Sequence, residues 1–532
     1  MKKKVHLQPP DHARRAFLKR SSLALIGLAG GGLPGFCGAD RGGVLHIRNY
    51  MDVSSLDPVS TVSAAEGLIL GAICQNLLRF RTDGSWGTQL DAAEWFEQTD
   101  PTHYEFRLKP GQTFTNGYGE MTADDVKFSF ERLVDPAMAA INAPDMGPLS
   151  HVEVHDRYSG TFVLRSPYAA FAPIAVAGPS GAILSRAAVT AVGGRFTTQP
   201  PCSSGPYSFK SWQAQRKTVV ERNPDWTGAE APFSEIHIYA MPDDKAAEMA
   251  YEAGQLDCAQ ISVETVGPFE KDMPPHSSLR VLPSARNFWL GMNRENSALA
   301  DIRVRRAIQY GVDVEAVVEA GWFGLAAVSN GPIPEGMTGH RDKALIPPRG
   351  DPDRARALLE EAGVALPLRL RLDVINKARD VTAAQVIQWS LRKVGIEVDI
   401  HAQDGGTFLT IGRQDLGDQW RDIQLFTQDF VGMADPYYSM TWFISKQMGL
   451  WNWERFNNEE FDRLNDLALE TGDEAERGRI YRRMQDLMEE SGCYRFLTNG
   501  AMPVIVRTSI KPAFRPDGYA LFRDFRPFWN PA

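Results

Sequence analysis

Hydrophobic and polar residues alternate over residues 368–374, where Leu and Val are separated by Arg and Asp. This period of two predicts a strand with one buried face. From about Thr382 the apolar residues recur at helical spacing, and Gly395 predicts the end of that helix. A second alternating stretch runs from Ile396 to Ile400. Strand, helix and strand over about thirty residues form a βαβ unit, so the region predicts an α/β domain.

Two further helices are indicated by their capping residues. Thr122 and Asp125 have the spacing of a capping box, and apolar residues follow at helical spacing. Asp351-Pro352 predicts the start of another helix, which Gly363 ends. We therefore expect strands and helices to alternate along the chain, without internal repeats or low-complexity linkers.

Residues 1–39 have the three-part pattern of a removable export signal. A basic segment containing the pair Arg14-Arg15 precedes an apolar stretch, residues 23–33, that is too short to span a bilayer. The pair resembles the twin-arginine export motif, and the small residues around Ala39 predict cleavage there. A lipoprotein anchor at Cys37 is disfavoured because the bulky Phe36 precedes it. We expect a periplasmic protein.

The charge of the chain is acidic once the signal is removed. The whole sequence of 532 residues carries −9, and residues 1–39 hold seven Lys or Arg and one Asp, so the remainder carries about −15. An acidic chain without a basic tract is a poor partner for nucleic acid or anionic lipid. No later apolar run approaches the length of a membrane span. The length predicts two to four domains.

The mature chain keeps four cysteines, with no CxxC spacing: Cys74, Cys202, Cys258 and Cys493. In an oxidising compartment they allow up to two disulfides in three pairings. As small apolar residues they could equally be buried and unpaired. Both alternatives remain open from the sequence.

Catalytic motifs are missing from the sequence: it contains no GxSxG, P-loop, HExxH or strand-linked GxGxxG. His151 and His155 bracket alternating valines, the pattern of a strand and not of a helical metal pair. We therefore expect no cofactor and no enzymatic activity, with a periplasmic hydrolase as the weaker alternative.

Several blocks, in order along the mature chain, resemble the family 5 extracellular solute-binding proteins, the peptide/nickel class of ABC-transporter binding proteins. The blocks are residues 42–47 (GGVLHI), 55–58 (SLDP), 90–95 (LDAAEW), 104–111 (YEFRLKPG), 122–126 (TADDV), 204–207 (SGPY), 221–224 (ERNP), 288–293 (FWLGMN) and 301–308 (DIRVRRAI).

The resemblance implies a two-lobed α/β periplasmic-binding-protein fold with a hinge and an inserted accessory domain. Lobe 1 would combine residues 43–75, 200–285 and 497–532. The accessory domain would be 76–199, and lobe 2 would be 286–496. The chain would cross between the lobes near 285–288 and again near 496. Closure about a hinge is a known motion of periplasmic binding proteins.

For the ligand, the resemblance points to Asp429, because an aspartate after a second-lobe strand, ahead of an Asp-Pro, holds the peptide ammonium in relatives. The gap from Asp429 to Asp435-Pro436 is longer here, so Asp435 is the alternative acid. Aromatic residues follow closely and suit a stacking site. The predicted ligand-binding set is Asp429, Asp435, Trp442, Trp451, Trp453, Tyr50 and Ser204.

The expected function is that of a monomeric periplasmic receptor which captures a small organic ligand, an oligopeptide or dipeptide, and delivers it to ABC permease subunits at the inner membrane. The aromatic residues keep an oligosaccharide or other non-peptide solute open as the alternative ligand.

Overall fold

Seven strands form the largest sheet in the part of the chain that the computed structural model describes, residues 43–61 and 63–528. The predicted export signal and Cys37 lie outside the described residues. In spatial order the strands are Tyr207–Gln213, Lys217–Arg222, Glu235–Ala240, Val44–Asn49, Cys258–Gln260, Ala501–Arg507 and Ser277–Pro283. The sheet thus gathers three separate stretches of the sequence.

A second sheet has five strands, in the spatial order Ile396–Gln403, Leu368–Ile375, Leu425–Val431, Arg286–Met292 and Tyr494–Thr498. The chain passes from the seven-stranded to the five-stranded sheet between Pro283 and Arg286, and returns between Thr498 and Ala501. Two short crossings therefore connect the sheets.

A third sheet has four antiparallel strands in the spatial order Ala93–Asp100, His103–Leu108, Ser159–Leu164 and Leu149–Val154. Three two-stranded ribbons pair Leu78–Phe80 with Thr88–Leu90, Thr113–Phe114 with Gly119–Glu120, and Ile510–Lys511 with Arg526–Pro527. Each large sheet packs against its own buried apolar core.

The α-helices cover these sheets. They are Ala64–Ile73, Ala123–Val134, Arg186–Ala191, Asp244–Glu252, Val263–Lys271, Ile302–Gly311, Val314–Trp322, Pro352–Glu361, Ala378–Arg392, Gly405–Phe408, Pro436–Met440, Glu459–Glu470 and Glu474–Glu490. Within the described residues, no helix combines the length and the apolar character needed to cross a membrane.

The predicted βαβ unit is confirmed: Leu368–Ile375 and Ile396–Gln403 pair in parallel around the helix Ala378–Arg392. That helix begins four residues before the expected Thr382, because its first turn, residues 378–381, is at most partly buried and its helical spacing is interrupted by the charged pair Arg379-Asp380. The two capped helices are also confirmed. The backbone N–H of Thr122 donates to the Asp125 carboxylate at 2.9 Å, and Asp351 caps Pro352–Glu361.

The four cysteines of the described residues, Cys74, Cys202, Cys258 and Cys493, are buried and unpaired, so the structure favours the second of the two alternatives that the sequence left open. They are distributed among separate cores. Cys202 packs in the core of the four-stranded sheet, Cys74 and Cys258 in that of the seven-stranded sheet, and Cys493 beside the helix Glu474–Glu490. They act as small apolar side chains.

Candidate ligand-binding site

A cavity of about 490 Å³ lies where the three large sheets approach one another. One wall comes from the helix Ala64–Ile73 and the C-terminal residues 515–524. A second wall comes from residues 142–145 and 173–180, around the four-stranded sheet. The third comes from Arg286 and residues 431–434, at the crossing to the five-stranded sheet. The volume is within the range of pockets that hold small organic molecules, about 300–1,000 Å³.

The helix Ala64–Ile73 turns small side chains towards the cavity. Its first turn has a capping box: Ser63 Oγ accepts from the Glu66 backbone N–H at 3.3 Å, and the Glu66 carboxylate accepts from the Ser63 backbone N–H at 3.2 Å. Gly67 lines the cavity and lies so close to Pro179 that a Cβ would come within 2.6 Å of its ring. The glycine therefore brings two walls into contact.

Charged residues are frequent in the wall, and most are paired. Arg79 donates to Asp524 at 2.8 Å. Arg523 makes a bidentate pair with Asp91 at 3.0 and 2.9 Å. Arg515 contacts Asp517 and stacks over the Phe80 ring, 4.1 Å from its centroid.

Arg286 carries the fourth charge pair, with Asp429 of the neighbouring strand. The Arg286 side chain is 42% exposed and lines the cavity, whereas Asp429 is 16% exposed and lies behind it. Partial removal of the guanidinium from water lowers the pKa of Arg286, but the neighbouring Asp429 carboxylate favours the charged form, and the pKa is raised on balance. Asp429 therefore acts on the cavity through Arg286.

Tyrosines surround the same space. Tyr50, Tyr438 and Tyr519 all line the cavity. Burial and the neighbouring Tyr519 raise the pKa of Tyr50 well above its usual range. Burial and the nearby Asp145 carboxylate raise the pKa of Tyr438 to about 12. These hydroxyls are neutral donors near neutral pH.

Tyr50 is the member of the predicted binding set that lies in the cavity wall. Asp435 is 3% exposed, pairs with Arg477 and caps the helix Pro436–Met440. Ser204 is 1% exposed, and its hydroxyl accepts from the Gln75 backbone N–H at 3.0 Å. The structure thus uses Asp435 and Ser204 to hold backbone segments in place.

The predicted tryptophans pack among other aromatic rings. Trp442 contacts Tyr438 at 5.2 Å between ring centroids and Trp451 at 6.0 Å, so it is one ring removed from the cavity. Trp453 is 2% exposed, and its indole N–H donates to the Leu450 carbonyl at 3.0 Å. Trp442 and Trp451 thus lie behind Tyr438, whereas Trp453 packs in a separate core with Phe408 and Phe426.

Asp145, Arg286 and the C-terminal segment 515–524 line the cavity but are not among the residues predicted from the sequence. Arg286 lies at the chain crossing that the family resemblance predicts, and this position is the feature of the sequence that could have identified it. Among the described residues, no group of His, Cys, Asp or Glu side chains is placed to hold a metal ion.

Comparison with known proteins gives matches over most of the chain. The model of the family 5 bacterial extracellular solute-binding proteins, middle region, matches residues 89–449. The probable D,D-dipeptide-binding periplasmic protein DdpA of Escherichia coli K12 is 28% identical over 468 residues, covering 85% of this chain and 88% of that protein. Di/tripeptide-binding protein 2 of Pseudomonas aeruginosa is 28% identical over 434 residues, covering 75% of this chain and 78% of that protein.

The fold matches solved structures as well. The periplasmic binding protein DppA of Helicobacter pylori, in complex with the peptide STSA, superposes with a TM-score of 0.74 at 23% identity. The match covers 91% of this chain and 98% of that chain. The two-lobed α/β periplasmic-binding-protein fold is thereby confirmed.

Proposed function

This chain belongs to the family 5 bacterial extracellular solute-binding proteins, and from this premise we propose that its cavity of about 490 Å³ captures a short peptide. Members of the family are periplasmic or extracellular receptors. The protein is accordingly a solute-binding receptor of an ABC importer, and its task is capture and delivery. The cavity carries the proposal, because three separate parts of the chain enclose it.

A peptide suits the chemistry of this cavity. The wall is largely built from small and apolar residues, which accept side chains of varied shape. A guanidinium has five N–H donors, more than Asp429 can use, so Arg286 retains donors for a ligand carboxylate or carbonyl. The two relatives named above are a probable D,D-dipeptide-binding protein and a di/tripeptide-binding protein, which also supports a peptide ligand.

We propose that the parts of the chain move as lobes. Residues 43–75, 200–285 and 497–532 would form lobe 1 with the seven-stranded sheet, and 286–496 would form lobe 2. Residues 76–199 would form the accessory domain. Arg286 follows directly on one crossing, so ligand contact there would couple binding to closure.

The route and partners of the receptor are part of the same proposal. A twin-arginine signal in residues 1–39 would bring the folded protein to the periplasm, where it would work as a monomer and deliver its ligand to ABC permease subunits. No covalent chemistry is required of it.

Calorimetric titration tests the peptide assignment. The purified protein is titrated with L-Ala-L-Ala, D-Ala-D-Ala and L-Ala-L-Ala-L-Ala, and with maltotriose as the sugar control. Peptide binding with a fall in the radius of gyration by small-angle scattering is expected. Binding of maltotriose alone would favour the alternative of an oligosaccharide receptor, and release of free alanine from a peptide would favour a hydrolase.

A further inference from the structure

Four arginines line the cavity, and each has an aspartate as its partner: Arg79 with Asp524, Arg523 with Asp91, Arg515 with Asp517, and Arg286 with Asp429. One further carboxylate lines the wall, that of Asp145. It forms no ion pair with any Lys, Arg or His of residues 43–61 and 63–528. Its carboxylate accepts a hydrogen bond from the Ser180 hydroxyl at 2.6 Å.

Asp145 is held firmly in this position. It lies in the 3₁₀ turn Ala143–Met146, whose preceding residue, Asn142, donates from its side chain to the carbonyls of Pro58 at 2.9 Å and Thr61 at 2.8 Å. Met146, on the other side, is fully buried. The carboxylate is thus fixed by neighbours that are anchored independently of any ligand.

The surroundings of Asp145 disfavour a lone negative charge. Burial raises the pKa of Asp145, and the Ser180 hydroxyl offsets this only in part. In addition to burial, the charge of Asp145 contributes to raising the pKa of two neighbouring phenols, Tyr168 and Tyr438, and both are neutral. An ionised carboxylate in such a place is stabilised by a cation or by several hydrogen bonds.

The acids that the sequence points to are already engaged. Asp429 contacts Arg286, and Asp435 makes a bidentate bond with Arg477 away from the cavity. A ligand cation at either would have to displace a guanidinium. Asp145 can accept a cation without breaking an ion pair.

We propose that Asp145 binds the cationic group of the ligand, which is the α-ammonium where the ligand is a peptide. This inference rests on the proposed peptide receptor and adds an orientation to it. The amino end of the peptide points to residues 142–145 and 180, and its carboxyl end points towards Arg286.

The test is a double-mutant cycle measured by calorimetry. L-Ala-L-Ala, D-Ala-D-Ala and their N-acetyl forms are titrated into the wild-type protein and into Asp145→Asn. In the wild type, N-acetylation should weaken binding about thirtyfold or more, the typical effect of removing one partner of a buried charge pair. Asp145→Asn should weaken binding of the free dipeptide by a similar factor and should leave little further effect of acetylation.

The control is Asp124→Asn, an exposed acid on the helix Ala123–Val134 that leaves the cavity unchanged. Its affinities should equal those of the wild type. If Asp145→Asn does not fold, Ser180→Ala replaces it, with a weakening of about threefold or more expected from the lost hydrogen bond.

The outcomes separate the two proposals. If the wild type binds a dipeptide and Asp145→Asn binds it equally well, or keeps the full effect of acetylation, the assignment of Asp145 is overturned while the peptide receptor stands. If the wild type binds none of the free peptides, the peptide receptor is overturned, and this assignment with it.

Discussion

Replacement of Asp435 with Ala should lower the free energy of unfolding. The carboxylate is 3% exposed and accepts from the two terminal nitrogens of Arg477 at 2.8 and 2.7 Å. It also accepts from the Tyr437 backbone N–H at 2.9 Å as the cap of Pro436–Met440. Without it, Arg477 stays buried with only the Ala468 carbonyl and the Tyr481 hydroxyl as partners. Breaking a buried ion pair from one side typically costs about 3–5 kcal/mol.

Urea unfolding followed by circular dichroism measures this loss. Asp466→Ala is the matched control, because Asp466 is exposed on the helix Glu459–Glu470 and should change stability by less than about 0.5 kcal/mol. Adding Arg477→Met to Asp435→Ala should recover part of the loss, since the stranded charge is then removed. If Asp435→Ala unfolds like the control, the ion pair does not stabilise the fold as the structure implies.

Three further predictions concern pH, the crossing and export. Burial raises the pKa of Glu454 from 4.5 to about 8, so the folded protein keeps a proton that the unfolded chain releases. The free energy of unfolding should therefore fall by on the order of 5 kcal/mol as pH rises from about 4.5 to 8. In urea unfolding across this pH range, the midpoint of Glu454→Gln should depend less steeply on pH than that of the wild type. Gly432→Val should lower the free energy of unfolding by about 1–3 kcal/mol, because a Cβ at this position would lie 2.5 Å from the backbone carbonyl oxygen of Ala285, at the chain crossing. Gly267→Ala should not lower it, because a Cβ there would lie in open space. Replacing Arg14 and Arg15 with Lys should leave an uncleaved precursor in the cytoplasm, and normal periplasmic accumulation in cell fractions would refute the twin-arginine route.

The elements that could be predicted are those whose signal is local. The strand Leu368–Ile375 and the helix Ala378–Arg392 bury one face each, so their periodicity is visible in a short window. The caps at Thr122 and Asp351 are equally local, since a cap acts within one helical turn. Order and spacing of such blocks then suffice to identify the family.

The site could not be predicted in the same way, because its contacts are distant in sequence. The partner of Asp429 is 143 residues away, and that of Asp435 is 42 residues away. In the sequence alone, an isolated aspartate looks the same whether it faces a ligand or an arginine. The aromatic run around Trp442 could not be assigned from the sequence for a related reason: closely spaced aromatic residues also serve packing, and Trp453 packs against Phe408 and Phe426.

The paired charges give the cavity its character as a receptor site. Arg79 with Asp524, and Arg523 with Asp91, join residues 76–91 to the C-terminal segment and fix the wall before any ligand arrives. A wall that is ordered in advance loses little entropy on binding, and it offers oriented donors to whatever enters. Because an aspartate balances each arginine in these pairs, the pairs favour neither an anionic nor a cationic ligand. If Asp145 holds the ligand cation as proposed, selectivity for a cation depends on this carboxylate outside the pairs, and a single acid determines the orientation of the bound peptide.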